Sequence, residues 1–239
     1  MRARDIQAIG IHLASALAFW LSLAGPAAAA WPKLPTQNLP VCVQSGGQTA
    51  PNSVPDGKGG VIVVWQDMRT GTNYDIYAQH VLASGAVDPA WPANGRLLCV
   101  NASDQRRPAS AADAAGGAFV AWEDYRTGVA SPDIYAQHVL ASGLVDPAWP
   151  TDGRAVGLDA FDQVQESIIS DGTGGCLIAW TDGRNPVTIY DVYVQHVFAS
   201  GVVDPAWPVN GRALCTADNG QGSQTMVSDG AGGAGGVGQ

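Results

Sequence analysis

Glutamate is almost missing from this 239-residue chain: of its 21 acidic residues, only Glu123 and Glu166 are not aspartate. Aspartate favours turns and glutamate favours helices, so the imbalance speaks for many tight turns and against helical faces. Thirty glycines and fifteen prolines agree with that. Basic residues are also scarce, 12 against the 21 acids, and the net charge is −9. No basic stripe is visible, which excludes a nucleic-acid partner, because phosphate binding needs one. The chain also lacks a nucleophile beside a base, a metal-ligand cluster, an EF-hand loop and a nonapeptide calcium repeat. No metal site and no cofactor is expected; the abundance of aspartate leaves loose calcium binding as the one cofactor reading.

Cysteine is sparse and placed without the look of a disulfide framework. Cys42, Cys99 and Cys215 each stand six residues before a glutamine (Gln48, Gln105, Gln221), with Gly157 in that place before Gln163. They therefore share one repeated position, and equivalent positions in successive units are commonly too far apart to bridge. Cys176 lies in an apolar run, where a buried thiol is ordinary.

The first thirty residues read as a signal peptide outside the fold. Arg2 and Arg4 form a positive start, Ala8 to Leu23 is apolar, and Ala28-Ala29-Ala30 offers a cleavage site before Trp31. A retained anchor is the competing reading, but the stretch is short for a span. Losing Arg2, Arg4 and Asp5 moves the net charge from −9 to −10. The expectation is a secreted or cell-surface protein with no membrane span after cleavage.

What the chain does have is repetition. Trp65-Gln66-Asp67-Met68-Arg69 returns as Trp122-Glu123-Asp124-Tyr125-Arg126 and as Trp180-Thr181-Asp182-Gly183-Arg184, at steps of 57 and 58 residues. Each copy follows an Asp-Gly-x-Gly-Gly-like turn and precedes Asp-Ile/Val-Tyr-x-Gln-His-Val, then Ala-Ser-Gly-x-Val-Asp-Pro-Ala-Trp-Pro. A fixed period of this size sets the architecture. Asp56-Gly57, Asp171-Gly172 and Asp229-Gly230 are hairpin signals, since glycine accepts the positive φ that such turns need. The second run, Val61 to Trp65, is apolar throughout and so covered on both faces. The third strand is Asp75 to Ala83; a short fourth is Arg96 to Val100. Four short antiparallel strands per unit, stacked face to face, predict an all-β, β-propeller-like array.

The units run 31–47 (a partial blade, an outer strand), 48–104, 105–162 and 163–220 (three full blades), and 221–239 (the start of a fourth). The ring is incomplete, so further blades of a longer chain or self-association would have to close it. The tail from Ala231 is expected to be disordered, for want of apolar area.

The repeat wording resembles that of the long, mostly uncharacterised secreted bacterial proteins with Asp-Gly-x-Gly-Gly…Trp-x-Asp-x-Arg…Asp-Ile-Tyr-Ala-Gln repeats, over Gln48 to Gly233. The resemblance implies a propeller-like extracellular module and attaches no activity to the motif. The sialidase Asp-box is not matched, because Asp and Gly here precede the Trp in a turn.

Recurrence decides how the reactive-looking residues are read. Trp65, Asp67, Arg69, Trp122, Asp124, Arg126, Trp180, Asp182 and Arg184 could form a ring of ligand-holding Asp–Arg pairs, but repeated residues are scaffold first: Trp filling the space between blades, Asp accepting from turn amides or arginine. His80, His138 and His196 also repeat and read as half-buried side chains bonded to main chain. Trp91, Trp149 and Trp207, held between prolines, are the candidates for ligand stacking, against the alternative of plugging the gap between blades. A unique site belongs at non-repeating positions: the loops Thr70–Tyr74, Thr127–Pro132 and Asn185–Tyr190, with Arg106-Arg107 and Asp162 to Glu166. No catalytic residue is assigned. The leading expectation is a non-catalytic exported module that presents one loop face to a glycan or a protein. The alternatives are a fragment of a propeller glycosidase or sialidase-type enzyme, and a structural spacer.

Overall fold

The computed structural model describes residues 38–128, 131–185 and 190–237. The segment 1–30 read as a signal peptide lies outside them. The described chain is all strand and turn: three four-stranded antiparallel meanders and a two-stranded hairpin. The first sheet is β1 (Gln48–Pro55), β2 (Val61–Asp67), β3 (Asp75–Val81) and β4 (Arg96–Cys99). The second is β5 (Gln105–Ala112), β6 (Ala118–Asp124), β7 (Asp133–Val139) and β8 (Arg154–Gly157). The third is β9 (Gln163–Ser170), β10 (Cys176–Asp182), β11 (Asp191–Val197) and β12 (Arg212–Cys215), and the hairpin is β13 (Thr225–Ser228) with β14 (Ala234–Val237).

The first strands β1, β5, β9 and β13 lie side by side in sequence order, so each sheet has an inner edge at a common centre. This is the arrangement of propeller blades, in a ring that does not close. Sheet faces are sealed by their neighbours: every residue of β6, β7 and β10 is buried. The cores lie at the junctions, since one apolar cluster joins Ile76, Leu98 and Cys99 of the first sheet to Val120 and Trp122 of the second. A second cluster joins Ile134, Ala136 and Val156 to Ile178 and Trp180.

The inner strand of each full blade carries a bulge opposite the repeated tryptophan. Ala50-Pro51, Arg107-Pro108 and Gln165-Glu166 place two residues against Trp65, Trp122 and Trp180 respectively. The first bulge residue takes positive φ in each case: 49° at Ala50, 53° at Arg107 and 57° at Gln165. A bulge bends its strand and re-aims side chains. Its second position is proline in two blades and Glu166 in the third.

Three expectations need correction. The second strand runs two residues past the tryptophan, so Trp-x-Asp is wholly strand. Residues 38–47 form no strand, although the Val43 amide donates to Asn94 Oδ1 at 2.9 Å as the Val100 amide does to Asp152 Oδ1 and the Leu158 amide to Asn210 Oδ1 after the fourth strands of the next two blades. The glycine-rich tail is ordered as β14, because backbone pairing of Thr225–Ser228 with Ala234–Val237 needs no side chains. Cys42, Cys99, Cys176 and Cys215 are all free thiols.

Candidate functional site

The repeated residues are held within the scaffold. Trp122 Nε1 donates to Asp124 Oδ2 at 2.8 Å, the Arg126 amide to Oδ1 at 2.9 Å, and Arg126 Nη2 to Oδ2 at 2.6 Å. The same guanidinium donates to the Asp152 carbonyl at 2.8 Å and lies 3.9 Å over the Tyr135 ring. Trp65, Asp67 and Arg69 repeat this over Tyr77, and Trp180, Asp182 and Arg184 over Tyr193. Burial works to raise the Asp67 carboxyl, but hydrogen bonds from Arg69, Trp65 and Gln48 outweigh it and hold it below the usual carboxylate range.

The histidines are bonded to two carboxylates rather than to main chain. His138 Nε2 meets Asp113 Oδ2 at 2.9 Å and Nδ1 meets Asp146 Oδ2 at 2.8 Å. His80 sits likewise between Asp56 and Asp88, and His196 between Asp171 and Asp204. The cause is local: the turn aspartate uses Oδ1 to accept from the Ala115 and Gly117 amides, which aims Oδ2 across to the third strand. Both ring nitrogens are occupied, so none of the three is left to bind a metal. Among the described residues, no three His, Cys, Asp or Glu side chains converge on a metal position.

Trp91 and Trp149 are not stacking surfaces. They are 3% and 4% exposed, and their Nε1 atoms donate to Ala141 O and Ala199 O of the following blade, both at 3.2 Å. Only Trp207 is half-buried, beside Arg212, whose guanidinium lies 5.2 Å over its ring.

The non-repeating residues come together. Arg106, near the start of β5, lies between the rings of Tyr74 and Tyr125, at 5.6 and 5.4 Å. Asp104 fixes the group: it accepts from the Tyr74 amide at 2.8 Å and from Arg106 Nη2 at 2.5 Å. Arg106, Asp104 and Tyr125, together with Thr72 and Asn73, line an open cavity of about 240 Å³. At the next junction the corresponding positions hold Pro132, Val164 and Gly183, so the cluster occurs once.

Tyr125 links this cluster to the two glutamates. Its hydroxyl donates to Glu123 Oε2 at 3.4 Å. Glu123 is 1% exposed and pairs through Oε1 with Arg107 Nη1 at 3.3 Å. The same oxygen accepts from the Gln165 amide at 3.2 Å, which brings the third blade's bulge against it. The next residue is Glu166, both of whose carboxyl oxygens are enclosed without a hydrogen-bond partner. Burial pushes the Glu166 carboxyl well above the usual carboxylate range, and the nearby Glu123 pushes it further. The chain's two glutamates are therefore a pair of unlike acids, one ion-paired and one driven toward its neutral form. Sequence reasoning flagged Arg106, Arg107 and Glu166 as irregular but saw nothing to join the glutamates. The missing signal was the bulge register, which turns residues 42 positions apart into neighbours.

No protein-family model and no curated protein matches the chain. Among solved structures it is similar to the endo-arabinase from Bacteroides thetaiotaomicron, at 13% identity and a TM-score of 0.49, over 80% of this chain and 72% of that one. It is also similar to the native arabinanase of Bacillus subtilis, at 14% and 0.46, over 77% of this chain and 65% of that one. A third is an N-acetylgalactosamine deacetylase from F. plautii, solved in complex with blood group B trisaccharide, at 9% and 0.45, over 81% and 62%. The likeness is one of fold. The chain spans less than two thirds of the last two proteins. No helix among the described residues is long and apolar enough to cross a membrane.

Proposed function

We propose that the chain is an exported, non-catalytic propeller module that binds a hydroxyl-rich ligand, a glycan, at the cluster of Tyr74, Arg106 and Tyr125. One observation carries this reading: the repeated Trp, Asp, Arg and His bond to the scaffold, whereas the non-repeating aromatic and charged residues gather at one open cavity. Tyrosine rings flanking a guanidinium, with carboxylates behind, offer stacking faces and both signs of hydrogen-bonding partner. The test is affinity electrophoresis of the full chain against a panel of soluble polysaccharides, arabinan among them. Retardation by at least one, abolished in Arg106→Ala and Tyr125→Ala, supports the reading. No retardation by any, with folded protein, rejects it in favour of a structural spacer.

A second reading, a fragment of a propeller glycosidase, is favoured by the Glu123–Glu166 pair alone. Paired acids with opposed environments suit acid/base work on a glycosidic bond. The enclosed Glu166 oxygens weigh against it, since a general acid must reach its substrate. Release of reducing ends from any of the same polysaccharides, lost in Glu166→Gln, would put the enzyme first.

A further inference from the structure

Arginine is committed in two ways in this chain. At repeated positions the scaffold takes it up. Arg126 directs its guanidinium to both oxygens of Asp124, to Asp152 O and to Cys99 Sγ. Arg69 and Arg184 likewise each hold an aspartate and a carbonyl. Arg96 and Arg154 donate Nε to Gly143 O and Gly201 O of the following blade, both at 2.5 Å. Among the described residues, the basic side chains that no other blade repeats are Lys58, Arg106 and Arg107. Two of these three are consecutive, and both reach the surroundings of Tyr125: the Arg106 guanidinium lies 5.4 Å from its ring, and Arg107 shares Glu123 with its hydroxyl.

Arg106 is far from saturated. Nη2 donates to Asp104 Oδ2 at 2.5 Å, whereas Nη1 and the enclosed Nε have no acceptor among the described residues. A guanidinium carries five N–H donors in one plane, so most of that fork is left over. It lines the open cavity with 43% of the side chain in solvent. Ser103 lines the same cavity, and its hydroxyl is unbonded among the described residues. The electrostatics are local. The chain carries a net charge of −9, yet here each arginine offsets one carboxylate, Arg106 that of Asp104 and Arg107 that of Glu123.

We propose that the glycan taken at this cavity is an acidic one, carrying uronate residues, and that Arg106 reads the sugar carboxylate; this rests on the glycan reading of the same site. A carboxylate is a planar acceptor that a guanidinium fork holds bidentately, which lysine or a hydroxyl cannot do. The pyranose ring would lie against Tyr125, with Ser103 left for a sugar hydroxyl. A neutral sugar offers only single hydroxyls to the unfilled donors. A phosphate dianion would bring twice the charge beside Asp104.

The test is isothermal titration calorimetry of the full chain with oligogalacturonate and with alginate oligosaccharide, each compared with its methyl ester. EDTA is present throughout, to exclude bridging by calcium. Neutral galacto-oligosaccharide and dextran sulfate are the further arms. Saturable binding of at least one uronate is expected, about tenfold or more weaker after esterification, the loss of one charge-assisted hydrogen bond. Arg106→Gln should remove the preference for acid over ester. Equal binding of acid and ester, or of acid and neutral sugar, overturns the inference and leaves the glycan reading in place. So does a uronate that gives no heat while a neutral polysaccharide still retards the protein. Dextran sulfate bound as tightly as uronate means adsorption of any polyanion and overturns it, as does a preference for acid that survives Arg106→Gln. Folded protein that binds no saccharide in either assay ends both readings.

Discussion

The blade junctions and the tyrosine–arginine–glutamate cluster use the same residue types to opposite ends. At the junctions each Asp is oversubscribed: Asp124 accepts from one indole, one amide and two guanidinium nitrogens. In the cluster the groups are undersubscribed: Arg106 keeps 43% of its side chain in solvent, and Glu166 holds two buried oxygens with no partner. Satisfied polar groups specify a structure; unsatisfied ones are a cost retained for some other reason. The division follows recurrence. What every blade repeats is consumed in building the blades and their contacts, and what occurs once is left to meet something else.

The sharpest way to break this comparison is to empty one junction. Asp124→Ala strands the half-buried Arg126 guanidinium and the indole N–H of Trp122, which has no solvent exposure. Removing one partner of such a pair costs about 3–5 kcal/mol. Chemical denaturation should show the loss, while retardation by polysaccharide persists wherever the protein stays folded. An unchanged midpoint would mean the junction bonds are ornamental.

Acid should act next, on the Asp–His–Asp bridges inside each blade. Burial raises the Asp113 and Asp171 carboxyls, yet hydrogen bonds from His138 or His196 and from turn amides overcome it, and both lie below the usual range. Carboxyls depressed in the folded state bind protons more readily when unfolded. Their contribution is therefore complete above the unfolded pKa of about 3.9 and is lost as pH falls through the lower folded values. Melting temperatures recorded from pH 6 to pH 2 should drop below about pH 4. A flat profile there would remove the Asp–His–Asp bridges from the account of stability.

Glu166 has the opposite sign. Its folded pKa is raised, so above the unfolded value of about 4.3 the native state holds a proton that the unfolded chain has released. That drains stability as pH rises toward the folded pKa. Glu166→Gln keeps the shape and removes the titration, and should stabilise the protein at neutral pH. The gain should vanish near pH 4. A loss of stability in this variant would show that the carboxylate has a partner.

Fold and site were unequally legible in the sequence. The Asp-Gly turns, the apolar run Val61–Trp65 and the alternating third strand Asp75–Val81 are periodic signals, and strands obey them because the sheet faces they fill are uniform from blade to blade. Register is not written in composition. The bulges at Arg107-Pro108 and Gln165-Glu166 each add one residue opposite a tryptophan, and only that offset brings Glu123 against the Gln165 amide. The histidine carboxylate bridges were missed for a similar reason. Asp113 and His138 are 25 residues apart and meet only because β6 and β7 return in exact antiparallel register. Trp91 and Trp149 looked available because prolines flank them, but the acceptors that bury them stand 50 residues on, in the next blade.

The smallest stability effect belongs to the cluster itself, and it sharpens the comparison most. Arg106 bonds only to Asp104, in an ion pair whose partners are 43% and 27% exposed, and such pairs are worth about 0–1 kcal/mol. Arg106→Ala should therefore leave the denaturation midpoint within about 0.5 kcal/mol of the parent. The ring faces of Tyr74 and Tyr125 would remain, but without the cation between them. If a polysaccharide retards the parent, this variant should run freely, whereas Asp124→Ala should unfold readily yet still be retarded. The two variants thus form a crossed pair, stability without binding and binding without stability. A variant at Arg106 that loses both would place it among the junction residues, and recurrence would cease to separate scaffold from site.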